Sequence, residues 1–156
     1  MPNKAPNFKI PSTNSKLLEL KKIKSKYKVL YFYPKDNTPG CTVETKDFNS
    51  LLSQFKKLDC EVIGISKDSM ESHEKFRDKF KIKFDLVADV KKEAIKAYKV
   101  WGKKKFMGRE FMGLIRSTFL LKDDKIIKEW RSVKVKDHAK EAVSYTHLTL
   151  PTIPTV

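Results

Sequence analysis

"YFYPKDNTPGCTVETKDF", residues 31–48, changes character in its middle. Tyr31 to Tyr33 close an apolar run that begins at Val29, which reads as a buried strand. Pro34, Asp36, Asn37, Pro39 and Gly40 then form a dense turn cluster. Phe48, Leu51, Leu52 and Phe55 follow at spacings of three, four and seven, the apolar face of an amphipathic helix. Cys41, one of only two cysteines in the chain, stands at the joint. A cysteine at a helix N-terminus meets backbone N–H groups without acceptors and the positive end of the helix dipole. Both favour the thiolate, which is the nucleophilic form. Thr38 can bring a hydroxyl near that sulfur, Pro34 and Pro39 stiffen the loop, and Gly40 lets backbone approach closely. Pro34 can also shield the sulfur from water. The plain alternative is a cysteine packed as a small hydrophobe; a turn-rich segment is seldom core, which argues against it.

Outward from this joint, strands and helices alternate. "CEVIGIS" (residues 60–66) reads as a second strand, and Ser69 to Lys79 as a helix with Met70 and Phe76 inward and Asp68 as a candidate cap. "FDLVAD" (84–89) is a short third strand and residues 91–98 a short helix. "STFLL" and "KIIKEW" flank "KDD", a hairpin signal, and a last helix starts near Asp137. The pattern predicts a three-layer α/β domain.

Composition narrows the class. The chain has 156 residues, 40% hydrophobic and 34% charged, as expected of one soluble globular domain. The first residues lack an apolar signal-peptide core and no run is long enough to cross a bilayer, so the expected location is the cytoplasm. The net charge of +15 raises the possibility of a nucleic-acid partner, but the lysines are scattered and no zinc-finger or base-stacking signature accompanies them. No glycine-rich phosphate loop or clustered Cys/His spacing implies a nucleotide or metal cofactor. His73 lies in a polar stretch and is expected to be exposed, and Trp101 and Trp130 are read as packing residues.

Pro34, Thr38 and Cys41 match the PxxxTxxC pattern of peroxiredoxins, and "YFYPKDNTPGCTVE" resembles the bacterioferritin-comigratory (Q-type) subfamily nearly letter for letter. The likeness opens at "KAPNFKIPS" and continues through "VIGISKDSMESHEKFRDKF", "AYKVWGKK", "MGLIRSTFLL" and "WRSVKVKDHAKE", covering residues 4 to 142. It implies a thioredoxin-like fold with a central mixed sheet flanked by helices. It implies a thiol peroxidase, taking hydrogen peroxide and organic hydroperoxides and recycled by thioredoxin or another external thiol, without a cofactor and as a monomer. Cys41 would be the peroxidatic cysteine, with Thr38, Arg116 and Pro34 in the catalytic set and Gly40 adding backbone donors. Glu44 fits the family glutamate that orients the arginine; an ordinary first-turn glutamate is the equal alternative. Two other classes remain at this stage: a redox-inactive thioredoxin-like binding module and a basic nucleic-acid-binding domain.

The likeness departs at the resolving cysteine. Many Q-type members carry it five residues after the peroxidatic one, where this chain has Lys46; others place it on a later helix, where Ile95 and Ala97 stand here. Cys60 is the only other thiol. A helix of about sixteen intervening residues separates it from Cys41 by roughly 24 Å, beyond the ~7 Å Cα separation a disulfide requires. A one-cysteine cycle with an external thiol is therefore expected, and Cys60 is disfavoured as the resolving residue.

The end of the chain reads differently again. "VSYTHLTLPTIPTV" (143–156) carries no charged side chain after a heavily charged stretch, and it resembles the in-frame translation of a sequencing-library transposon adapter. The domain is accordingly expected to be residues 1–142, with its last helix cut short and a fused, non-native tail at 143–156 that has no native packing partners. Pro151 and Pro154 bar a regular helix in that tail.

Overall fold

The computed structural model describes residues 3–149. The strands are β1 (Asn3–Lys4), β2 (Lys9–Ser12), β3 (Ser15–Glu19), β4 (Tyr27–Phe32), β5 (Cys60–Ser66), β6 (Asp85–Ala88), β7 (Trp101–Phe106), β8 (Arg109–Leu114), β9 (Ser117–Lys122) and β10 (Lys125–Arg131). The α-helices are α1 (Pro39–Ser50), α2 (Leu52–Lys57), α3 (Met70–Phe80), α4 (Glu93–Ala97) and α5 (His138–Leu148). Eight strands form one mixed sheet in the order β1-β10-β9-β4-β5-β6-β2-β3, and β7 and β8 form a separate hairpin. Parallel pairing of β4 with β5 and of β5 with β6 requires crossovers, which α1–α2 and α3 supply. The antiparallel β9 lies on the other side of β4.

β4 is buried along its whole length, and its side chains alternate between two cores. Leu30 and Phe32 join Ile63, Ile65, Phe119, Leu121 and the α4 residues Ala94 and Ile95 on one face. Tyr27, Val29, Tyr31 and Tyr33 join Val62, Leu86 and Leu120 on the other, under Phe48, Phe55 and Phe76 from α1, α2 and α3. Two apolar layers around one sheet make the predicted three-layer domain. Tyr31 stacks on Phe48 at 4.6 Å between ring centres, which ties α1 to the strand that precedes it.

Several local expectations shift. The helix after Cys41 breaks at Leu51 into α1 and α2, although Phe48, Leu52 and Phe55 all still face the core. Ser69, rather than Asp68, caps α3, accepting the Ser72 N–H. His73 is not exposed: its side chain is wholly buried. The buried stripe of α3 runs through His73 and Phe76, and its polar sequence hides the fact that the histidine occupies an apolar-face position.

The end of the domain also differs from expectation. α5 continues six residues past Ala142 to Leu148. Ala139, Ala142, Val143 and Thr146 recur at helical spacing on the core side, so one packed stripe crosses the boundary at 142. Tyr145 packs edge-on against Trp130, and the Tyr27 hydroxyl donates to the Thr149 carbonyl. Pro151 and Pro154 lie outside the described residues.

Candidate active site

The end of β4 delivers the chain into the turn at residues 34–38, and Thr38 is the N-cap residue of α1 with extended backbone. Pro39 fills the first helical position, where its missing N–H costs nothing. The first bond of the helical ladder runs from the Thr42 N–H to the Thr38 carbonyl, so the amides of Gly40 and Cys41 lie ahead of it. Cys41 thus occupies the first turn of a twelve-residue helix, as its sequence context predicts, and is 1% exposed.

Arg116 reaches the same point from the segment just before β9. Its Nη2 donates to Cys41 Sγ at 3.2 Å and its Nη1 to Glu44 Oε1 at 2.6 Å. The planar guanidinium serves two acceptors at once, which a lysine could not do with fixed geometry. Glu44 is 1% exposed, so it is not an ordinary solvent-facing first-turn glutamate. Burial pushes its carboxyl from the usual 4.5 up to about 7, against the pull of the Arg116 charge beside it. Glu44 Oε2 is buried and has no hydrogen-bond partner among the described residues. A Cβ on Gly40 would sit 3.3 Å from Arg116 Nη2, so the absence of a side chain there lets the guanidinium lie over the helix start.

Thr38 and Pro34 are half-buried. The Thr38 hydroxyl donates to the Lys35 carbonyl at 2.8 Å, which leaves its oxygen lone pairs free to accept. Cys41, Thr38, Gly40, Glu44 and Arg116 are therefore grouped around one helix start. A wider cleft of about 540 Å³, lined by residues including Arg131, Lys134, His138 and Glu141, does not include Cys41.

Cys60 stands apart. It opens β5 and pairs with Tyr27 at the start of β4, while Cys41 follows the opposite end of β4. The seven residues of β5 put about 20 Å between those two ends of the sheet. Both thiols are free and buried. Burial pushes the Cys60 thiol up to about 12, with the neighbouring Glu61 charge adding to the effect.

Sequence reasoning does not anticipate the buried contact between Asp36 and His73. Asp36 reads in the sequence only as a turn former, yet it is buried beneath the loop and bonded to His73. The signal available was a charged residue between two prolines, which is not specific.

A mixed sheet with a buried cysteine at the first turn of the helix after its central strand, hydrogen-bonded to an arginine, is the arrangement of the thioredoxin-like thiol peroxidases as a class. The sequence matches the AhpC/TSA family over residues 1–130. It is 48% identical to peroxiredoxin Bcp of Bacillus subtilis over 141 residues, 90% of each chain. It is 41% identical to the putative peroxiredoxin bcp of Helicobacter pylori, covering 89% of this chain and 92% of that one. The fold superposes on peroxiredoxin Q of Xanthomonas campestris with a TM-score of 0.86 at 36% identity, covering 91% of this chain and 90% of the other. The chain belongs to the AhpC/TSA family as a peroxiredoxin of the Bcp or Q type, and it is a thiol peroxidase. Among the described residues no helix is long and apolar enough to cross a membrane.

Proposed function

We propose that Cys41 is the peroxidatic cysteine and that Arg116, Thr38, Pro34 and Gly40 form the peroxide site around it, with Glu44 holding Arg116. The observation that carries this reading is the 3.2 Å hydrogen bond from Arg116 Nη2 to Cys41 Sγ at a helix start. A cation and free amide donors favour negative charge on sulfur. The thiolate attacks one peroxide oxygen. The S–O bond forms as the O–O bond breaks, the sulfur loses two electrons and becomes sulfenic acid, and the leaving oxygen takes a proton to depart as water or an alcohol. Charge moves from sulfur to the leaving oxygen, so the fork of Arg116 follows it at little reorganisation cost. Thr38 Oγ1, already donating to Lys35, accepts from the peroxide O–H. Pro34 shields the sulfur.

Turnover is completed by a thiol from outside the chain. It attacks the sulfenic sulfur, releasing water and leaving a mixed disulfide; a second thiol then frees Cys41. The remoteness and high proton affinity of Cys60 support this one-cysteine cycle. Thioredoxin, with two thiols, is one reductant that performs both steps. Hydrogen peroxide and organic hydroperoxides are the substrates; the bacterioferritin comigratory protein of Xanthomonas campestris is described in terms of its alkyl peroxide reduction activity, which supports the second. Electrons come from thiols, so no cofactor is needed. The protein works as a cytoplasmic monomer, without membrane or nucleic-acid partners. Its domain proper is residues 1–142, and residues 143–156 are a fused segment, a reading supported by their sequence.

Cys41→Ser tests the central role. The variant is expected to fold as the parent does and to lose peroxide turnover in an assay coupled to an external thiol, because serine supplies no thiolate at neutral pH. Retained turnover in the purified variant removes Cys41 from the mechanism.

A further inference from the structure

Asp36 lies five residues before Cys41, and its carboxylate is enclosed by donors. Oδ1 accepts the Tyr33 hydroxyl at 2.6 Å; Oδ2 accepts the Ser72 hydroxyl at 2.9 Å and faces His73 Nδ1 at 2.7 Å. The Asp36 N–H donates to Asp68 Oδ2 at 2.8 Å. The turn that leads to Cys41 is thus fastened at one residue to Tyr33 at the exit of β4, to α3 and to the segment after β5.

His73 is the unusual member. Its second nitrogen, Nε2, lies 2.9 Å from the Val87 carbonyl oxygen, which has no proton to give. Its first faces a carboxylate that already accepts from Tyr33 and Ser72. Both ring nitrogens thus face oxygen atoms, Asp36 Oδ2 and the Val87 carbonyl, and the ring is held at both ends. The charged or titratable groups around it are Asp36 from the loop, Asp68 from the segment after β5, and the Tyr33 hydroxyl, 3.4 Å from Nδ1, from the residue that follows β4. β6 contributes only a carbonyl and α3 itself the Ser72 hydroxyl. Asp36, Asp68 and His73 bring ligand atoms within 4.8 Å of one another, but both ring nitrogens are already committed, so the cluster closes on its own hydrogen bonds rather than on a metal.

We propose that His73 is a positioning residue for the peroxidatic loop: a buried ring that, through its hydrogen bond with Asp36, fixes the turn on which Thr38 and Cys41 stand. The proposal rests on Cys41 being the peroxidatic cysteine. Asn37, next to Asp36, holds a left-handed backbone with φ of 58°, a conformation this anchor keeps in place. Loosening the anchor moves Cys41 relative to Arg116, which approaches from another part of the chain.

Three measurements on the full chain test it. Proton NMR at about pH 7 is expected to show a slowly exchanging proton in the hydrogen bond between His73 Nδ1 and Asp36; its absence overturns the proposal. His73→Leu and Asp36→Asn are each expected to slow oxidation of Cys41 by peroxide roughly ten- to a hundredfold in stopped flow, the loss expected of a displaced reacting atom. His73→Asn, which keeps one neutral donor towards Asp36, should recover part of that rate. Alkylation of the remote Cys60 under native conditions should stay at the parental rate in all three. Parental Cys41 rates in Asp36→Asn, or Cys60 opening in step with the Cys41 loss, overturn the positioning role. If His73→Leu fails to fold, Asp36→Asn and the NMR result decide. Turnover surviving in Cys41→Ser defeats the peroxidatic assignment itself, whereas a parental rate in Asp36→Asn defeats only the role of His73.

Discussion

Arg116 and Glu44, 72 residues apart in sequence, form a 2.6 Å ion pair whose carboxylate is almost sealed from solvent. That pair fixes one nitrogen of the guanidinium and leaves the other on Cys41 Sγ. A buried ion pair adds little stability on balance, because desolvation offsets the attraction. Its value here is geometric.

Arg116→Lys should keep a positive charge near the sulfur but lose the fork. Lysine cannot donate to Glu44 and Cys41 from one rigid plane. Peroxide oxidation of Cys41 is expected to slow roughly a hundredfold, the usual cost of a donor aimed at developing charge. Stopped-flow oxidation at parental speed would remove Arg116 from the site.

Glu44 makes stability depend on pH. Its carboxyl is raised from the ordinary 4.5 to about 7, with burial the first cause. The folded state therefore holds an extra proton between those values, and the associated stability is fully present below about 4.5 and lost as pH rises through about 7. Glu44→Gln cannot ionise. Its melting temperature should fall less between about pH 5 and about pH 8 than the parent's. Equal slopes in thermal unfolding would show that Glu44 does not titrate in this window.

Cys60→Ser should retain peroxidase turnover with dithiothreitol as reductant. Cys60 lies at the other end of the sheet from Cys41 and burial keeps its thiol protonated. Loss of thioredoxin-supported turnover in this variant would mean that Cys60 takes part in the cycle after all.

Removing residues 143–156 should lower stability without abolishing activity. The deletion takes away Val143, Tyr145 and Thr146, which pack on the core, along with the Thr149 carbonyl bonded to Tyr27. A loss of about 1–3 kcal/mol is expected, the range for removing a few packed side chains. Denaturant unfolding measures it; an unchanged midpoint would show that the packed end of α5 contributes nothing.

Much of this architecture was legible in residues 29–66, where an apolar strand, a turn cluster and a second strand announce a crossover unit. The position of Cys41 at a helix start was legible because the turn cluster ends where the helical apolar spacing begins. Arg116 and Glu44 became legible only through the family likeness, since no local pattern links residues 72 positions apart. The β2–β3 and β7–β8 hairpins were missed: their sequences lack a strong apolar alternation, and the outer face of β8 is exposed. His73 was misjudged because a charged helix conceals a buried polar position whose partner, Asp36, lies across the loop. The extension of α5 past 142 was missed because sequence origin and helical packing are separate matters: Val143 and Thr146 happen to continue the stripe.

The most direct measurement is mass spectrometry of the protein after one equivalent of peroxide, with a sulfenic-acid trap present and no reductant. The account predicts the trap on Cys41, an unmodified thiol at Cys60, and no intrachain bridge between them. A trap on Cys60, or a stoichiometric Cys41–Cys60 disulfide within one chain, would contradict it.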